Sequence, residues 1–414
     1  MLVVDEISFA SPQAIVKLDE NLRALLGKQS VKFGGMNVVF AGDLRQLKAV
    51  KQESIIEEKC HQFDEWVNCF IELQGKHRFN DDPEWGEILI RFRDGVPTLE
   101  DFARINERVI TSDTALPQDI KHATNRNSER DAINAAVFKQ HCIACAAVNN
   151  GTATDSLIVF SDNLMVKSGR RGQRPLDNRR FFWEGCSEDN IKVNGKTSKR
   201  VDPVLKLFFN CEVMLTENEC VTSARANGTR ALLKEVKLKP GESTFLIEIE
   251  GVLVPATFAS HVQNVTLEHL NKDAKPRTFT MEPKTFHATA MMPKSKHFMS
   301  STKPQDRNAV AMDLFQLPVI SNTATTAHKL QGSGVDNLLV SEWKNEASWI
   351  YVILSRVKTR NGLHLRKELK PDIGIHKIPA ILKKKLNFFR TNCAALELDG
   401  AEHRELCAPC GSEN

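Results

Sequence analysis

The sequence lacks the marks of a membrane or secreted protein. No stretch of its 414 residues reaches the roughly 18 consecutive apolar residues that a transmembrane helix needs. The start of the chain also has no basic segment followed by an apolar one, the pattern of a secretory signal. We therefore expect a protein that has no membrane partner and is not secreted.

A disulfide framework is missing as well. The 10 cysteines are scattered, and two C-x-x-C pairs, Cys142 with Cys145 and Cys407 with Cys410, lie far apart without a histidine at zinc-finger spacing. Reduced thiols of a nuclear or cytosolic protein fit this pattern best, with a zinc site shared by both pairs as the alternative.

What is present is an ordinary globular composition, 41% hydrophobic and 26% charged. The length predicts two or three domains. A formal net charge of +4 is compatible with a polyanionic partner but does not require one.

Residues 1–115 alternate strand and helix patterns. "MLVVDE" and "MNVVFAGD" read as buried strands, and residues 12–27 between them carry apolar positions at helical spacing. "PEWGEILIRFRDG" and "LEDFARINERVI" read as amphipathic helices. Two buried strands around a helix predict a parallel sheet, and hence an α/β fold.

In the rest of the chain, the sequence pattern that predicts secondary structure changes from one segment to the next. Residues 116–232 begin with a strand and a capped helix in "DIKHATNRNSERDAINAAVFKQH". Residues 233–315 show short β-like runs such as "TFLIEIEGVLVP" and "FHATAMM", which predict a β-rich insertion. Strand and helix patterns return in residues 316–385, and residues 386–414 form a tail, helical at first.

Two strand ends carry side chains suited to nucleotide chemistry. Asp5 and Glu6 directly follow the first strand, where a carboxylate can hold Mg²⁺ and another can polarise a water. Gly42 and Asp43 end the second strand, and the side chains of Asp43 and Gln46 are suited to sensing a γ-phosphate or its attacking water. The alternatives are a helix-capping turn and an ordinary strand-to-turn Gly-Asp.

Two further groups lie near the end of the chain. "TAHKLQGSGVD" places polar side chains and backbone amides suited to phosphate contacts at a strand-to-helix transition: Thr326, His328, Lys329, Gln331 and Gly332. "YVILSRVK" presents Ser355 and Arg356 after an apolar stretch. Arg356 is either an arginine finger that reaches across a cleft or an arginine that is solvated or salt-bridged within its own domain.

The basic and aromatic stretch Arg170–Trp183 is suited to binding single-stranded nucleic acid through phosphate contacts and stacking. The alternative interpretation is a solvated loop. "NGKTS" at 194–198 contains Gly-Lys-Thr, but Asn190 stands where a phosphate loop needs its first glycine, so we regard the match as accidental.

The order of these groups resembles that of the petite-integration-frequency (PIF-like) DNA helicases, a RecD-related branch of superfamily one. In that comparison Asp5 and Glu6 are similar to the magnesium-binding acidic motif, and Gly42, Asp43 and Gln46 to the third motif. The remaining matches are His77-Arg78 with the next arginine-bearing motif, Asn125 and Asn134 with the fourth motif, Asn227–Thr229 with a segment of the second core domain, Thr326–Gly332 with the fifth motif, and Tyr351–Val357 with the sixth.

The resemblance covers about residues 1–365 and implies two RecA-like domains. They would be a partial first domain at 1–115 and a second at 116–232 and 316–385, interrupted by an SH3-like insertion at 233–315. It implies ATP binding between the domains with Mg²⁺ held by Asp5, and 5′-to-3′ movement along single-stranded DNA. Asp5, Glu6 and Gln46 would then face Arg356, Gln331 and Gly332 across one cleft, with Gly42, Asp43 and Arg78 near the nucleotide. DNA contacts would come from Asn125, Asn134, Thr326, His328 and Lys329.

Two departures from the family pattern affect function. Ser333 and Gly334 stand where the family usually has Gln and a hydroxyl residue. The phosphate loop that should precede Asp5 does not occur in the chain, so we expect it upstream and expect this chain to be inactive alone.

The leading hypothesis is therefore an ATP-dependent DNA helicase by family, a monomer in the nucleus or mitochondrion that acts on single strands and junctions. The alternatives are a nucleic-acid-binding remnant without ATPase activity and a relic of a Helitron-like mobile element.

Overall fold

The structure is a computed structural model that describes residues 1–48, 53–57, 61–73, 77–117, 120–167, 173–176, 179–186, 191–193, 200–271, 274–291 and 309–398. The chain forms two compact units. The first unit combines Met1–Asn125 with Ala327–Asn414, and the second unit is Arg126–Thr326. This division is based on contacts and does not test the predicted domain boundaries, which stay predictions.

The helices and strands follow one another in three segments. Met1–Asn125 contains β1 (Leu2–Val4), α1 (Pro12–Leu25), β2 (Val38–Phe40), α2 (His61–Trp66), β3 (Cys69–Leu73), α3 (Pro83–Asp94), α4 (Leu99–Asn106) and β4 (Lys121–Thr124). Arg126–Thr326 contains α5 (Asn127–Val148), β5 (Ser156–Phe160), β6 (Asp162–Lys167), β7 (Gln173–Pro175), α6 (Arg179–Gly185), β8 (Ile191–Val193), β9 (Val204–Phe208), β10 (Glu212–Leu215), β11 (Arg230–Leu238), β12 (Phe245–Ile249), β13 (Val252–Phe258), β14 (Val262–His269), β15 (Thr278–Met281), β16 (Lys284–Met291), β17 (Ala309–Gln316), β18 (Val319–Ser321) and β19 (Ala324–Thr326). The last segment contains α7 (Ala327–Leu330), β20 (Leu338–Val340), α8 (Ala347–Leu354), β21 (Leu363–Leu365), α9 (Ala380–Asn392) and β22 (Ala394–Leu398).

Local capping signals explain where several helices begin. The side chain of Ser11 accepts a hydrogen bond at the start of α1, and that of Asp82 does so at the start of α3. Thr98 and Asp101 form a reciprocal capping box on α4. The predicted helix α5 is present, but its predicted cap is wrong, because Arg126 occupies the N-cap position without a side-chain bond.

The first unit is built on parallel strand pairs. β1 lies parallel to β2 with Leu2 opposite Val38, which confirms the predicted parallel sheet. β20 lies between β4 and β21, parallel to both. α3, α4 and α8 contribute to one core cluster with this sheet, around Trp85 and Trp349. β22 pairs with β3 in parallel, a strand that the tail pattern did not predict.

The strands β1 and β2 are less buried than their sequences predicted. Val3 is 55% exposed and Val39 is 45% exposed. The inward residues Leu2, Val4, Val38 and Phe40 pack against a cluster with α1 and α9. Only one face of the described two-stranded sheet is covered, so the prediction of two fully buried strands is wrong.

The second unit contains three sheets and the long helix α5. Their strand orders are β15-β14-β11-β10-β18, β12-β13-β5-β9 and β7-β6-β17-β16-β8. β-structure begins at Ser156, well before residue 233, because β5 pairs with β9 and β13 and β10 pairs with β11. The β-rich region is thus wider than predicted, and an SH3-like character of residues 233–315 stays a prediction.

The fold class is confirmed as mixed α/β with parallel sheets. No helix in the described part of the chain combines the length and apolar character needed to span a bilayer.

Candidate functional site

The acidic pair lies at the carboxyl end of β1, as predicted. Glu6 adopts left-handed backbone angles (φ 52°, ψ 47°), which are costly for a residue with a side chain. Its N–H donates to Asp5 Oδ1 at 2.8 Å. Asp5 is exposed, whereas Glu6 is half-buried. The turn therefore separates the two carboxylates into different environments.

The end of β2 lies directly against this turn. Ile7 N donates to Ala41 O at 2.9 Å, and a Cβ at Gly42 would lie 2.8 Å from Ile7 N. Gly42 has φ 145°, so glycine is required here both for its angles and for the close approach. Asp5, Glu6 and Gly42 are thus brought together at the end of the same two-stranded sheet.

Asp43 and Gln46 follow in the next turn. Asp43 Oδ1 accepts from Arg45 N at 2.9 Å, and its Oδ2 accepts from the hydroxyl of Tyr351 at 3.0 Å. Burial raises the pKa of the Tyr351 hydroxyl, and the Asp43 carboxylate raises it further. Gln46 Oε1 is a buried oxygen with no hydrogen-bond donor among the described residues.

Gln331 and Gly332 lie against the acidic pair. Gln331 Nε2 donates to Glu6 Oε2 at 3.2 Å and to Ser8 Oγ at 3.1 Å. A Cβ at Gly332, whose φ is 77°, would lie 3.2 Å from Glu6 Oε1. Gln331 and Gly332 therefore contact Glu6 within the first unit, and the predicted cleft between two domains stays a prediction.

Arg356 is 2% exposed and its guanidinium points into its own segment. Nε donates to Val352 O at 2.8 Å, and Nη1 donates to the carbonyls of Leu330 and Ser333. Nη2 donates to Ser355 Oγ at 2.7 Å. All of these acceptors are carbonyl or hydroxyl oxygens of its own segment. Among the described residues, the guanidinium therefore forms no salt bridge with a carboxylate. The role of arginine finger stays a prediction.

Arg356 nevertheless interacts electrostatically with other residues of the site. Burial and, to a smaller extent, the neighbouring Arg78 lower the pKa of Arg356 to about 10, although Tyr351, Glu6 and Asp43 act in the opposite direction. Arg78 Nη2 donates to Arg356 O at 3.3 Å, and desolvation also lowers the pKa of Arg78. Two guanidinium groups therefore lie near each other at the edge where Glu6 and Asp43 lie, an arrangement that favours an anionic ligand.

The predicted DNA-contacting residues belong to both units. The amide of Asn134 bonds to the backbone of Ser321 and Ala324 in the second unit, which is a structural use of that side chain. Thr326 ends β19 in the second unit, whereas Asn125 belongs to the first. His328 and Lys329 are on the short helix α7, where burial lowers the pKa of His328 and Lys329 is exposed.

The remaining sequence hypotheses receive little structural support. Within the described residues, no group of three or more His, Cys, Asp or Glu side chains is arranged to hold a metal ion. Cys142 and Cys145 lie on α5, and Cys407 and Cys410 lie outside the described residues. Arg170, Arg171 and residues 194–198 also lie outside them. Trp183 packs against Phe160 in the second unit.

Several contacts of the site had no sequence signal. Ser8 was not singled out, although it shares Gln331 Nε2 with Glu6. Trp85 Nε1 donates to Val357 O at 3.3 Å and joins α3 to the end of the predicted sixth motif. These bonds join positions hundreds of residues apart, so neither Ser8 nor Trp85 had a local signal in the sequence.

Comparisons with known proteins give the same family as the resemblance drawn from the sequence. Residues 1–87 match the family model described as PIF1-like helicase. The ATP-dependent DNA helicase PIF1 of Xenopus laevis is 27% identical over 265 residues, which are 61% of this chain and 35% of that protein. The chain thus spans about a third of the length of this curated relative.

Solved structures show the same fold. The Pif1 helicase of Candida albicans superposes with a TM-score of 0.58 at 20% identity, over 94% of this chain and 76% of that one. The Bacteroides Pif1 helicase in complex with ADP-AlF3 and ssDNA gives a TM-score of 0.57 at 18% identity, over 94% and 75%.

The fold is thus the one found in these solved Pif1 helicase structures. The match of residues 1–87 and the curated relative confirm the resemblance stated from the motifs: the chain is similar to the PIF1-like helicases.

Proposed function

We propose that this chain is the part of an ATP-dependent DNA helicase that carries the acidic pair and the arginines of the nucleotide site. The observation that carries the proposal is the convergence of distant motifs in the first unit. Gln331 and Gly332 contact Glu6, Tyr351 bonds to Asp43, and Arg78 bonds to the carbonyl of Arg356.

The chemistry assigned to these residues is hydrolysis of ATP. Glu6 would accept a proton from the water that attacks the γ-phosphorus, and the bond from that phosphorus to the β–γ bridging oxygen would break, releasing ADP and phosphate. Gln46 would orient the water, while Gly42 and Asp43 would shape the end of the sheet beside it.

Mg²⁺ fits the residues present. Asp5 is an exposed carboxylate, and hard oxygen ligands together with substrate phosphates are what Mg²⁺ prefers. When bound with ATP, the ion would neutralise charge that develops on the phosphates. Arg78 and Arg356 would share this task, which for Arg356 requires the guanidinium to leave the carbonyls of its own segment.

The finer proposals follow the family resemblance. We assign 5′-to-3′ movement on single-stranded DNA, action at junctions, and roles in repair, recombination or telomere maintenance. We also propose that the protein is a monomer and that it is located in the nucleus or the mitochondrion.

Binding of single-stranded DNA is the first test. We expect the 414-residue chain to bind labelled oligothymidine weakly and with an affinity that falls as salt rises, because contacts to phosphates release counterions. Substitution of Lys329→Ala should reduce the slope of log affinity against log salt by about 1. Lys377→Ala, another exposed lysine of the same unit, is the matched control. An affinity that does not change with salt contradicts the proposal.

ATPase activity is the second test. We expect negligible DNA-stimulated hydrolysis by this chain, because positioning of the phosphates dominates the chemistry and the chain contains no phosphate-loop pattern. Turnover similar to that of complete helicases, lost in the Asp5→Ala, Glu6→Ala double variant, would show this expectation to be wrong.

A second candidate function is nucleic-acid binding without hydrolysis, as in a helicase remnant or a relic of a Helitron-like element. The basic and aromatic stretch Arg170–Trp183 favours it, because arginines and aromatic side chains bind single strands through phosphate contacts and stacking. Sequencing the transcript upstream of the Met1 codon separates the two candidates. An in-frame phosphate loop supports the helicase, and an in-frame stop supports the remnant.

A further inference from the structure

Gln331 bonds to the acidic turn through a single amide group. The residue is 9% exposed, and its Nε2 donates to Glu6 Oε2 at 3.2 Å and to Ser8 Oγ at 3.1 Å. Both acceptors belong to the turn that follows β1. A buried amide that donates to both a carboxylate and a hydroxyl restrains the orientation of both groups.

The second oxygen of the same carboxylate lies over Gly332. A Cβ at this position would lie 3.2 Å from Glu6 Oε1, and the backbone of Gly332 has φ 77°. Glycine thus provides both the left-handed turn after α7 and the space for the carboxylate. The two oxygens of Glu6 are enclosed by two consecutive residues of one turn.

The backbone of Glu6 is restrained from the other side. Its φ of 52° is unusual for a residue with a side chain, and the next residue, Ile7, bonds through its N–H to Ala41 O. A strained backbone angle at a carboxylate marks a position whose geometry is held by its surroundings.

We propose that Gln331, Gly332 and Ser8 are positioning residues for Glu6, which hold its carboxylate in one orientation before a nucleotide binds. The inference deepens the proposed function and rests on it, because the orientation matters for catalysis only if Glu6 accepts the proton from the attacking water. Orientation of a base before the reaction lowers the barrier, since no reorganisation is needed in the transition state.

The test observes the contact by NMR on the full 414-residue chain, with ¹⁵N-labelled glutamine and ¹³C-labelled glutamate. Loss of a signal in Gln331→Met assigns the side-chain amide of Gln331, and loss in Glu6→Gln assigns the carboxylate carbon of Glu6. We expect Glu6→Gln to shift the amide protons of Gln331, and Ser8→Ala to shift them as well. An amide signal of Gln331 that neither variant changes overturns the proposal.

Orientation itself is read from the Glu6 carboxylate. In Gln331→Met its ¹³C signal should move towards the value of an unstructured glutamate, because the side chain samples several rotamers. A purely structural role for Gln331 would change the free energy of unfolding and leave this signal in place, and that result counts against positioning.

The two glycines of the turn form a matched pair. Gly332→Ala should shift the Glu6 signal, whereas Gly334→Ala should not, because a Cβ at Gly334 would lie 3.0 Å from Arg78 Nη2 and not near Glu6. If Gly332→Ala does not fold, the Ser8→Ala and Gln331→Met spectra decide. Equal shifts in both glycine variants contradict the inference.

These measurements need neither nucleotide nor DNA. Unchanged signals therefore refute the positioning role and leave the proposed function in place. Shifted signals in a chain that does not bind single-stranded DNA leave the contact in place and refute the function.

Discussion

Individual residues at the end of β1 and β2 use backbone conformations that few side chains allow. Glu6 is left-handed at φ 52°, and Gly42 has φ 145° with Ile7 N only 2.8 Å from where its Cβ would be. The glycine permits the close approach between the end of β2 and the turn that follows β1. The sequence predicted the position of this turn but not the reason for its glycine.

Substitution of Gly42→Ala should lower the free energy of unfolding by about 3 kcal/mol, because the new methyl group adds a clash to a strained backbone. Gly27→Ala is the control in the same unit. Gly27 also has positive φ, at 67°, but an added Cβ would have no atom within 4 Å, so the loss should be about 1 kcal/mol. Urea unfolding of the three proteins measures both values, and equal losses would exclude the proposed clash.

Arg356 shows how a side chain recognised in the sequence can have an unexpected use. Its guanidinium bonds to the carbonyl oxygens of Val352, Leu330 and Ser333, so the turn after α7 and the end of α8 are joined through one buried cation. A motif predicts that an arginine is present, whereas its partners depend on which carbonyls the fold leaves without donors.

Among the elements, the sheet β4-β20-β21 has two unlike faces. Leu338 and Val340 of β20 belong to the core cluster with α3, α4 and α8. On the opposite face, Leu339 pairs with His122 of β4 and with His364 of β21. Both histidines are buried, and burial lowers the pKa of each.

The pH dependence of stability follows from His122. Burial, with Arg366 and Lys121 nearby, lowers its pKa from 6.5 to about 4. The fold therefore prefers the neutral ring, so this contribution is complete above about pH 6.5 and is lost as pH falls towards the folded value. Between pH 7.5 and pH 4.5 we expect the chain to lose roughly 2–3 kcal/mol through this residue.

Urea unfolding at the two pH values measures this loss of free energy of unfolding. The His122→Asn variant should lose roughly 2–3 kcal/mol less than the unsubstituted chain between the two pH values. His77→Asn, at an exposed position, is the control. The assignment to His122 would be wrong if both variants followed the pH dependence of the unsubstituted chain.

At the scale of the whole molecule, each unit has its own hydrophobic core. The clusters around Trp85 and around Phe33 contain residues of the first unit alone. Those around Leu205, Phe182 and Phe138 contain residues of the second unit alone. The second unit is continuous in sequence, whereas the first is assembled from both ends of the chain.

A fragment of residues 126–326 should therefore fold alone, and one of residues 1–125 should not. The core of the first unit needs Leu338, Ile350 and Val352 to cover Trp85, and these are absent from the shorter fragment. Circular dichroism during urea unfolding tests both. A cooperative transition in 1–125, or none in 126–326, contradicts this division.

The sequence by itself determined the local structure and the family. Ser11, Asp82 and Thr98 mark helix starts through side-chain caps within a few residues, and the acidic pair follows its strand directly. Such features depend on neighbours along the chain, so they can be predicted from spacing alone. The order of the motifs is likewise a property of the sequence, and the comparisons with known proteins agree with it.

Only the tertiary structure decided which distant groups meet. The pairing of β22 with β3, the bonds from Gln331 to Glu6 and Ser8, and the carbonyl partners of Arg356 join positions separated by turns, sheets or a whole second unit. Whether a hydrogen bond forms does not depend on how far apart its donor and acceptor lie in the sequence. They form wherever packing buries a donor beside an acceptor, and packing is a property of the entire fold.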